Sequence, residues 1–578
     1  MSDLTDFSHL LYKETLDIPA ADWLCNNIYF DNNVSPNSPG NLDLSRQPWA
    51  REILDAAMDP RINELNLVMG AQTGKTTLLM LIWLLKAKFD PSPALIALST
   101  DPLCDRLIKR RLIPLLKCNP WYGDQLPAEN RGQESMILFP GAPTFYTGAR
   151  TADKLASMPA SLLLLDEVSK WAKGSVKEAH PLFLVKERVK SFATHLIVAA
   201  STPSEEEEIF YTEYLHSSQS HYYMPCPHCG EMIKFEFSEE TVQWEKGTLE
   251  TVRDTAHYVC HKCKGKITDA DKEVMMSKGE WRKERENHVP GHLGYHLNSM
   301  YSPYVRFGDI AVEFVKANAS IMRAEALRNF TNSWLGLPYK VQEKETTSQD
   351  ILACVDNTRH RKEIPEDTAY VVLGCDAGQE ASHWVVSAIT FDGHVHVVDW
   401  GTLQSFTSFN GEYGLSNLIN DWESADGKWK IDIAYLDSGY STQECYVECM
   451  QLPYGKLFPV KGSNCQGTWS RRELTNVADL DLILFNDHSI KMTMMSYWRD
   501  RTITLPAQAA YDKELIKGLS GQTLIREKKS GKYVFKALKA DHYHDATKYC
   551  VLSAIMEHIQ PGTTEAEIDL ENDEDSGK

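Results

Sequence analysis

From Leu65 to about Ala200, short apolar runs alternate with stretches of helical spacing. LNLVM (65–69), ALIALST (94–100), SLLLLD (161–166) and HLIVAA (195–200) are apolar at consecutive positions rather than at every second one. Strands of that kind are buried on both faces, so residues 41–222 are expected to form a parallel sheet flanked by helices. Over 223–285 the pattern breaks into short polar pieces around paired cysteines, which predicts a small inserted module. Residues 286–345 regain apolar and aromatic spacing and return to the first domain, and the charged, polar stretch 346–367 reads as a linker. A second α/β unit is expected over 368–560. It opens with YVVLGCD, HWVVSAIT and HVHVVDWGT, joined by short links with a turn at Asp392-Gly393, and this predicts an antiparallel meander. IDIAYLD (431–437) adds a later strand to the same mixed sheet.

The two ends read differently. Residues 1–40 are rich in Asn, Pro and Ser and are expected to be an extension, whereas 561–578 are expected to be a disordered acidic tail. No internal repeat of solenoid period is found. A length of 578 residues implies several domains, and 43% apolar with 24% charged residues is the composition of folded protein. The net charge of −20 excludes a general polycation, so any phosphate contact must come from local basic patches. Thirteen cysteines cannot all pair. The start Met-Ser-Asp-Leu-Thr-Asp lacks the features of a signal peptide, so a reducing cytoplasm is expected. The longest apolar run, Leu78 to Leu85, is far below the roughly 20 residues that span a bilayer, and no membrane role is expected.

Strand LNLVM runs into Gly70-Ala71-Gln72-Thr73-Gly74-Lys75-Thr76-Thr77 and then into an apolar helix. That order is the context of a P-loop. Backbone N–H groups and the helix N-terminus would wrap nucleotide phosphates, Lys75 would neutralise their charge, and the Thr76 hydroxyl would hold Mg²⁺. The loop entry departs from the usual motif, because its first glycine position falls on Met69, with Gly70 one place late. About ninety residues on, LLLLDE ends in Asp166, which would reach the Mg²⁺ shell, and Glu167, which would orient and deprotonate the attacking water. Ser201-Thr202-Pro203 ends the next strand, either as a γ-phosphate sensor or as a simple turn. Gln47 could offer its amide to adenine. Arg106, Arg110, Arg111 and Arg150 are all candidates for the cation that stabilises transition-state charge, and spacing does not choose among them.

Cys226-Pro-His-Cys229 and Cys260-His-Lys-Cys263 suit a closed four-thiolate Zn²⁺ ribbon, with His228 and His261 as spare ligands. Cys445 and Cys449, four apart on a helical stretch, read as packing residues. In the second unit Asp376 and Asp437 each end a strand, and adjacent strand ends would bring two carboxylates together, which requires cations. Asp545, with Asp541 as the alternative, offers a third at the start of a helix. Three carboxylates around two Mg²⁺ or Mn²⁺ ions suit phosphodiester hydrolysis, one ion activating water and the other stabilising the leaving oxygen. Arg526 to Lys539 reads as a hairpin turning at Ser530-Gly531, with six basic residues that could grip DNA or face solvent, and Lys461 offers the same choice.

The succession Gln47-Pro-Trp, GAQTGKT, LLLLDE, STP, CPHC, CHKC, GCDAG, YLDSG, VKG and HYHDA resembles the large terminase subunit of tailed phages, in its lambda-type (GpA) branch, over roughly residues 35–555. The resemblance implies an ASCE-type P-loop ATPase domain, an inserted zinc ribbon and an RNase H-like nuclease domain. It also implies a motor that drives viral double-stranded DNA through the portal of a procapsid and a nuclease that cuts concatemers. ATP, Mg²⁺ or Mn²⁺ and Zn²⁺ follow as cofactors. A small terminase subunit, the portal, a homo-oligomeric packaging ring and the cytoplasm of an infected bacterium follow as its setting. Lys75, Thr76, Asp166 and Glu167 match the ATPase positions, Asp376 and Asp437 match nuclease carboxylates, and the choice of Asp545 over Asp541 is left open. A helicase-nuclease of repair or defence would share the P-loop and the DNA substrate, but would ordinarily carry a second motor domain. A zinc-bearing scaffold with degenerate sites is the non-enzymatic alternative.

Overall fold

The computed structural model describes residues 15–557 apart from 33, 35–38, 127–134, 151–154, 156–158, 172–178, 321, 340–345, 409–410, 464–466, 475–479, 528–532 and 538–540. The acidic tail and the hairpin turn at Ser530-Gly531 therefore lie outside the described residues. The chain divides into two compact units, Met1–Lys316 with Leu327–Val341, and Ala317–Ala326 with Gln342–Lys578. Among the described residues no helix is long and apolar enough to cross a membrane.

The first unit is built on a ten-stranded sheet. Its parallel body runs, in spatial order, through Ser220–Pro225, His292–Leu297, Glu64–Met69, Leu196–Ser201, Leu162–Asp166, Ala94–Leu98 and Thr144–Gly148. Short antiparallel strands border it. The strand before the P-loop is thus central, and Leu196–Ser201 separates it from the strand ending in Asp166. Burial on both faces explains the unbroken apolar runs, and the helix Lys75–Phe89 is itself buried nearly all round from Leu78 to Leu85. Strand His292–Leu297 carries two buried histidines and so lacks a strand-like apolar run. Each imidazole has a partner, Asn66 Nδ2 at 2.7 Å from His292 Nε2 and the Gly336 carbonyl at 3.0 Å from His296 Nε2, which makes their burial tolerable.

The second unit has a nine-stranded mixed sheet. Thr368–Asp376, Ser382–Thr390 and Val395–Leu403 form the antiparallel meander expected from the sequence. Ile433–Asp437 and Leu457–Ser463 then add in parallel on the other side of the first strand. Neighbouring residues of that first strand face opposite cores. Val372 packs with the helices Asp487–Asp500 and His542–Met556, and Val371 with Leu415–Asp421 and Thr442–Cys449. Cys445 and Cys449 lie in the latter core.

The stretch 346–367 is not a free linker. Ser348–Leu352 is a helix closed by a Thr347/Asp350 capping box, Val355–Asp356 pairs with Ile503–Pro506, and Ile351 and Cys354 are buried in the second unit. Two apolar anchors, a cap and the buried Arg359, which donates to the Val397 carbonyl at 2.8 Å and to Thr504 Oγ1 at 2.9 Å, fold a segment that shows little hydrophobic pattern.

Candidate functional site

The phosphate loop is set between a strand end and a helix start. Gln72 (φ 58°) and Gly74 (φ 78°) take left-handed conformations, and the helix begins at Lys75. The late glycine has a steric reason: a Cβ on Gly70 would lie 2.8 Å from both Ser299 N and the Trp334 carbonyl oxygen. The Gly70 and Ala71 N–H groups donate to the carbonyls of Leu297 (2.8 Å) and Ser333 (2.6 Å). Thr73 Oγ1 closes the loop on the Gly70 carbonyl at 2.7 Å. Lys75 Nζ donates to the carbonyls of Met69 (2.9 Å) and Gly70 (2.8 Å). Gln47 Oε1 stands 3.8 Å from where a Gly74 Cβ would sit, so the amide is beside the loop.

Thr76 Oγ1 donates to Asp166 Oδ2 at 2.7 Å, joining two motifs ninety positions apart. Glu167, left-handed at φ 51°, donates its N–H to Asp166 Oδ1 at 3.0 Å and pairs with Lys170 at 3.1 Å. Ser201 Oγ accepts the Ser169 N–H at 3.1 Å, which ties the next strand tip to the turn after Glu167. A cleft of about 430 Å³ is lined by Thr76, Asp166 and Glu167 together with Arg106, Arg110 and Arg111. Arg150, the fourth arginine candidate, is exposed beyond strand Thr144–Gly148 and does not line it. Burial pushes the Asp166 carboxyl up and the Lys75 ammonium down to about 8. A phosphate chain carrying a divalent cation would relieve both, since each buried charge would gain an opposite partner.

The four cysteines meet as two turns. The Gly230 and Lys264 N–H groups return to the carbonyls of Cys226 and Cys260. The four Sγ atoms all lie within 4.8 Å of one another, and Cys226 and Cys263 are 3.8 Å apart. Tetrahedral ligands about 2.3 Å from zinc stand about 3.8 Å from one another, so the cage fits that ion. His228 is not a spare ligand, because its Nε2 bonds the Lys266 carbonyl at 2.6 Å. Burial pushes the Cys226 thiol up to about 12, so only a bound cation would keep it a thiolate.

In the second unit Asp376 and Asp437 end neighbouring parallel strands, with Cys375 opposite Leu436 in register. Asp545 lies in the first turn of His542–Met556, which packs on the same sheet. Asp541, the residue before that helix, accepts from Gln522 Nε2 at 2.6 Å. The carboxylates sense one another: burial first, then Asp545 and Asp437, raise Asp376 to about 6 despite a 2.7 Å bond from His542 Nδ1. Asp437 is also raised, chiefly by burial, and accepts the Gly439 N–H at 3.0 Å. Hard oxygen donors in mutual repulsion suit Mg²⁺ or Mn²⁺. Among the described residues the three carboxylates are spread more widely than the four thiols, and chain cations sit against them.

Three residues of this site have no counterpart in the sequence reading. Lys548, buried, donates to Asp545 (3.0 Å) and Asp487 (2.8 Å), and Lys491 reaches Asp487 at 2.9 Å. Against the penalty of burial, Lys548 and Lys491 hold Asp545 well below the usual carboxylate range. Asp487 carried a signal, since LILFND ends an apolar strand in an acid as IAYLD does. The lysines carried none. Lys461 is exposed just beyond Val460, which pairs with Asp437. Strands Gln522–Arg526 and Tyr533–Ala537 form the expected hairpin, whose basic tip lies outside the described residues.

A P-loop sheet with its acidic partner strand, joined in one chain to a mixed sheet with acids at neighbouring strand ends, defines a two-domain α/β protein with a phosphate-loop site. Two models of a single family match it in succession: "Phage terminase large subunit gpA, ATPase domain" over residues 36–281 and "Terminase large subunit gpA, endonuclease domain" over 292–564. The chain belongs to the gpA family of phage terminase large subunits. It is 22% identical over 384 residues to the terminase large subunit of Enterobacteria phage P21, covering 61% of this chain and 57% of that protein. Against the large subunit of Escherichia phage lambda it is 22% identical over 362 residues, 57% of this chain and 54% of that one. The chain thus matches a little over half the length of these relatives. Among solved structures, the large terminase of the thermophilic bacteriophage D6E aligns over 89% of this chain and 98% of its own, at 13% identity and a TM-score of 0.39.

Proposed function

We propose that this chain is a DNA-packaging ATPase and a metal-dependent DNA endonuclease. The ATPase would drive viral double-stranded DNA into a procapsid, and the nuclease would cut concatemeric DNA. The observation that carries the ATPase half is the Thr76–Asp166 hydrogen bond of 2.7 Å, which joins the phosphate loop to the acidic strand as a Mg²⁺-nucleotide site requires. In this reading Gly70, Gln72, Thr73, Gly74, Lys75, Thr76 and Thr77 hold the nucleotide, with Gln47 at the base and Asp166 behind the metal. Glu167 takes the proton of the attacking water. Asp376, Asp437 and Asp545 are the nuclease ligands, with Mg²⁺ or Mn²⁺ supplying an activated water and neutralising the leaving oxygen. Cys226, Cys229, Cys260 and Cys263 hold a structural zinc. The family supports a small terminase subunit, a portal and a ring of copies as partners, and the cytoplasm of an infected bacterium as the setting.

Purified full-length protein is expected to show DNA-stimulated ATP hydrolysis, nicking that requires Mg²⁺ or Mn²⁺, and ATP-dependent protection of DNA from nuclease digestion by portal-bearing procapsids. Strand unwinding without procapsids would turn the reading toward a helicase-nuclease, and no ATP turnover with DNA and Mg²⁺ would turn it toward a scaffold. Chelation is expected to release one zinc and expose four new reactive thiols, measurable with a thiol reagent.

A further inference from the structure

The cleft beside the phosphate loop holds three arginines on one helix, and their placement is not that of an α-helix. Asp101–Leu107 continues into a π-helical turn, Ile108–Leu112, and then into Ile113–Cys118. In an α-helix residues three and four apart share a face, whereas π hydrogen bonds run to the fifth residue, so positions five apart stack. The turn therefore allows Arg111, five residues after Arg106, to line the cleft alongside Arg106 and Arg110. Among the three, Arg106 and Arg110 are exposed and Arg111 is half-buried. Arg111 Nη2 donates to Thr77 Oγ1 at 3.1 Å, on the first turn of the phosphate-loop helix and next to Thr76. Asp166 is the charge it feels across the cleft, while burial works against its own. Among the described residues that single bond is its only hydrogen bond. The other N–H groups of its five-donor fork remain available in a half-buried cleft beside Thr76, Asp166 and Glu167.

We propose that Arg111, held by Thr77, is a nucleotide-contacting residue supplied within the same chain, and that its fork reads the terminal phosphate and so separates ATP from ADP. The inference rests on the nucleotide reading above. A planar cation with spare donors, anchored on the helix whose N-terminus faces the phosphates, is the group suited to a phosphate oxygen. Thr77, placed in the nucleotide site above, has in addition a side-chain role as the anchor of that fork. The π turn acquires a purpose as well, since π turns concentrate at functional positions.

The test is equilibrium binding of Mg²⁺-AMPPNP and Mg²⁺-ADP to the full-length chain by titration calorimetry. Arg111→Ala is expected to weaken AMPPNP by about ten- to a hundredfold, the scale of one charge-assisted hydrogen bond, while ADP changes less than about threefold. Arg111→Lys keeps the charge without the fork and guards against a misfolded alanine variant; it is expected to recover only part of the loss. Thr77→Val is expected to show the same selectivity with a smaller amplitude. Lys75→Ala, as a control, is expected to weaken both nucleotides. Equal loss of both nucleotides in Arg111→Lys, no loss in either Arg111 variant, or a selective loss in Arg106→Ala or Arg110→Ala instead would overturn the assignment. If the wild-type chain binds neither nucleotide, the nucleotide reading itself fails and this inference fails with it.

Discussion

The two charge-handling sites of this protein balance their charges by opposite means. In the first unit the phosphate loop is continuous in sequence, and its donors are largely backbone N–H groups presented by left-handed Gln72 and Gly74 and the start of helix Lys75–Phe89. Its cation, Lys75, sits within the motif and bonds the carbonyls of Met69 and Gly70. In the second unit every carboxylate comes from a different element: Asp376 and Asp437 from two strands, Asp545 from a helix, Asp487 from the start of another. Their counter-charges come from two helices only, His542 and Lys548 from His542–Met556 and Lys491 from Asp487–Asp500. A backbone-built site survives changes in its surroundings because the loop carries its own geometry. A side-chain-built site depends on four packing decisions at once, and any error leaves a buried charge unpaired.

That contrast can be broken in measurable ways. The largest effect is expected from Asp437→Asn, which should lower metal-dependent nicking by at least roughly 10³-fold with ATP hydrolysis retained, read on supercoiled DNA. Parallel loss of both activities would mean that the two sites are not independent. Lys75→Ala should lower DNA-stimulated ATP hydrolysis by roughly 10²- to 10³-fold while nicking persists, the mirror of the first result. Third, Lys548→Met should cost about 3–5 kcal/mol, because Asp545 and Asp487 would lose a shared buried partner. Hydrogen exchange along His542–Met556 would report it as lost protection, while the helix Lys75–Phe89 stays protected.

The smallest effect concerns acid. In the first unit the rings of His221 and His296, on neighbouring strands, lie 4.9 Å apart and tilted by 46°. Burial pushes both down, His296 to about 4, with Lys234 adding to the effect and Glu284 lying 3.7 Å from His221. The unfolded chain therefore takes up these protons first as pH falls below about 6.5, and the stability they represent at neutral pH is lost progressively toward pH 4. The loss is expected to be on the order of 2–3 kcal/mol by pH 4. His221→Phe should flatten that decline by about 1–2 kcal/mol in urea titrations across pH 4–7.

Much of this was legible in the residues alone. GAQTGKT, LLLLDE and the two CxxC pairs are local patterns whose chemistry needs adjacent residues, and the structure brings each together. The meander of the second unit was legible from its apolar runs and the Asp392-Gly393 turn. Strand His292–Leu297 was not, since its two histidines are buried only because Asn66 and the Gly336 carbonyl receive them. The segment 346–367 reads as a linker because a cap and two apolar anchors, Ile351 and Cys354, leave little hydrophobic pattern. The proposal of Asp545 rather than Asp541 as the third ligand draws on a contact that the residues alone do not show, Gln522 with Asp541. Choosing among the arginines required the π turn and Thr77.

By itself the sequence determined which chemistries this chain carries: a phosphate loop with its acidic strand, a thiol cage, and acids at strand ends. Such signals survive in one dimension because their residues are neighbours, and backbone geometry follows from residue type. Only the tertiary structure decided which distant charges face one another, namely Lys548 with Asp545 and Asp487, and Arg111 with Thr77. Those pairings depend on distances set by packing between elements, and a charge is stabilised by what lies within a few ångströms of it, wherever in the chain that partner is found.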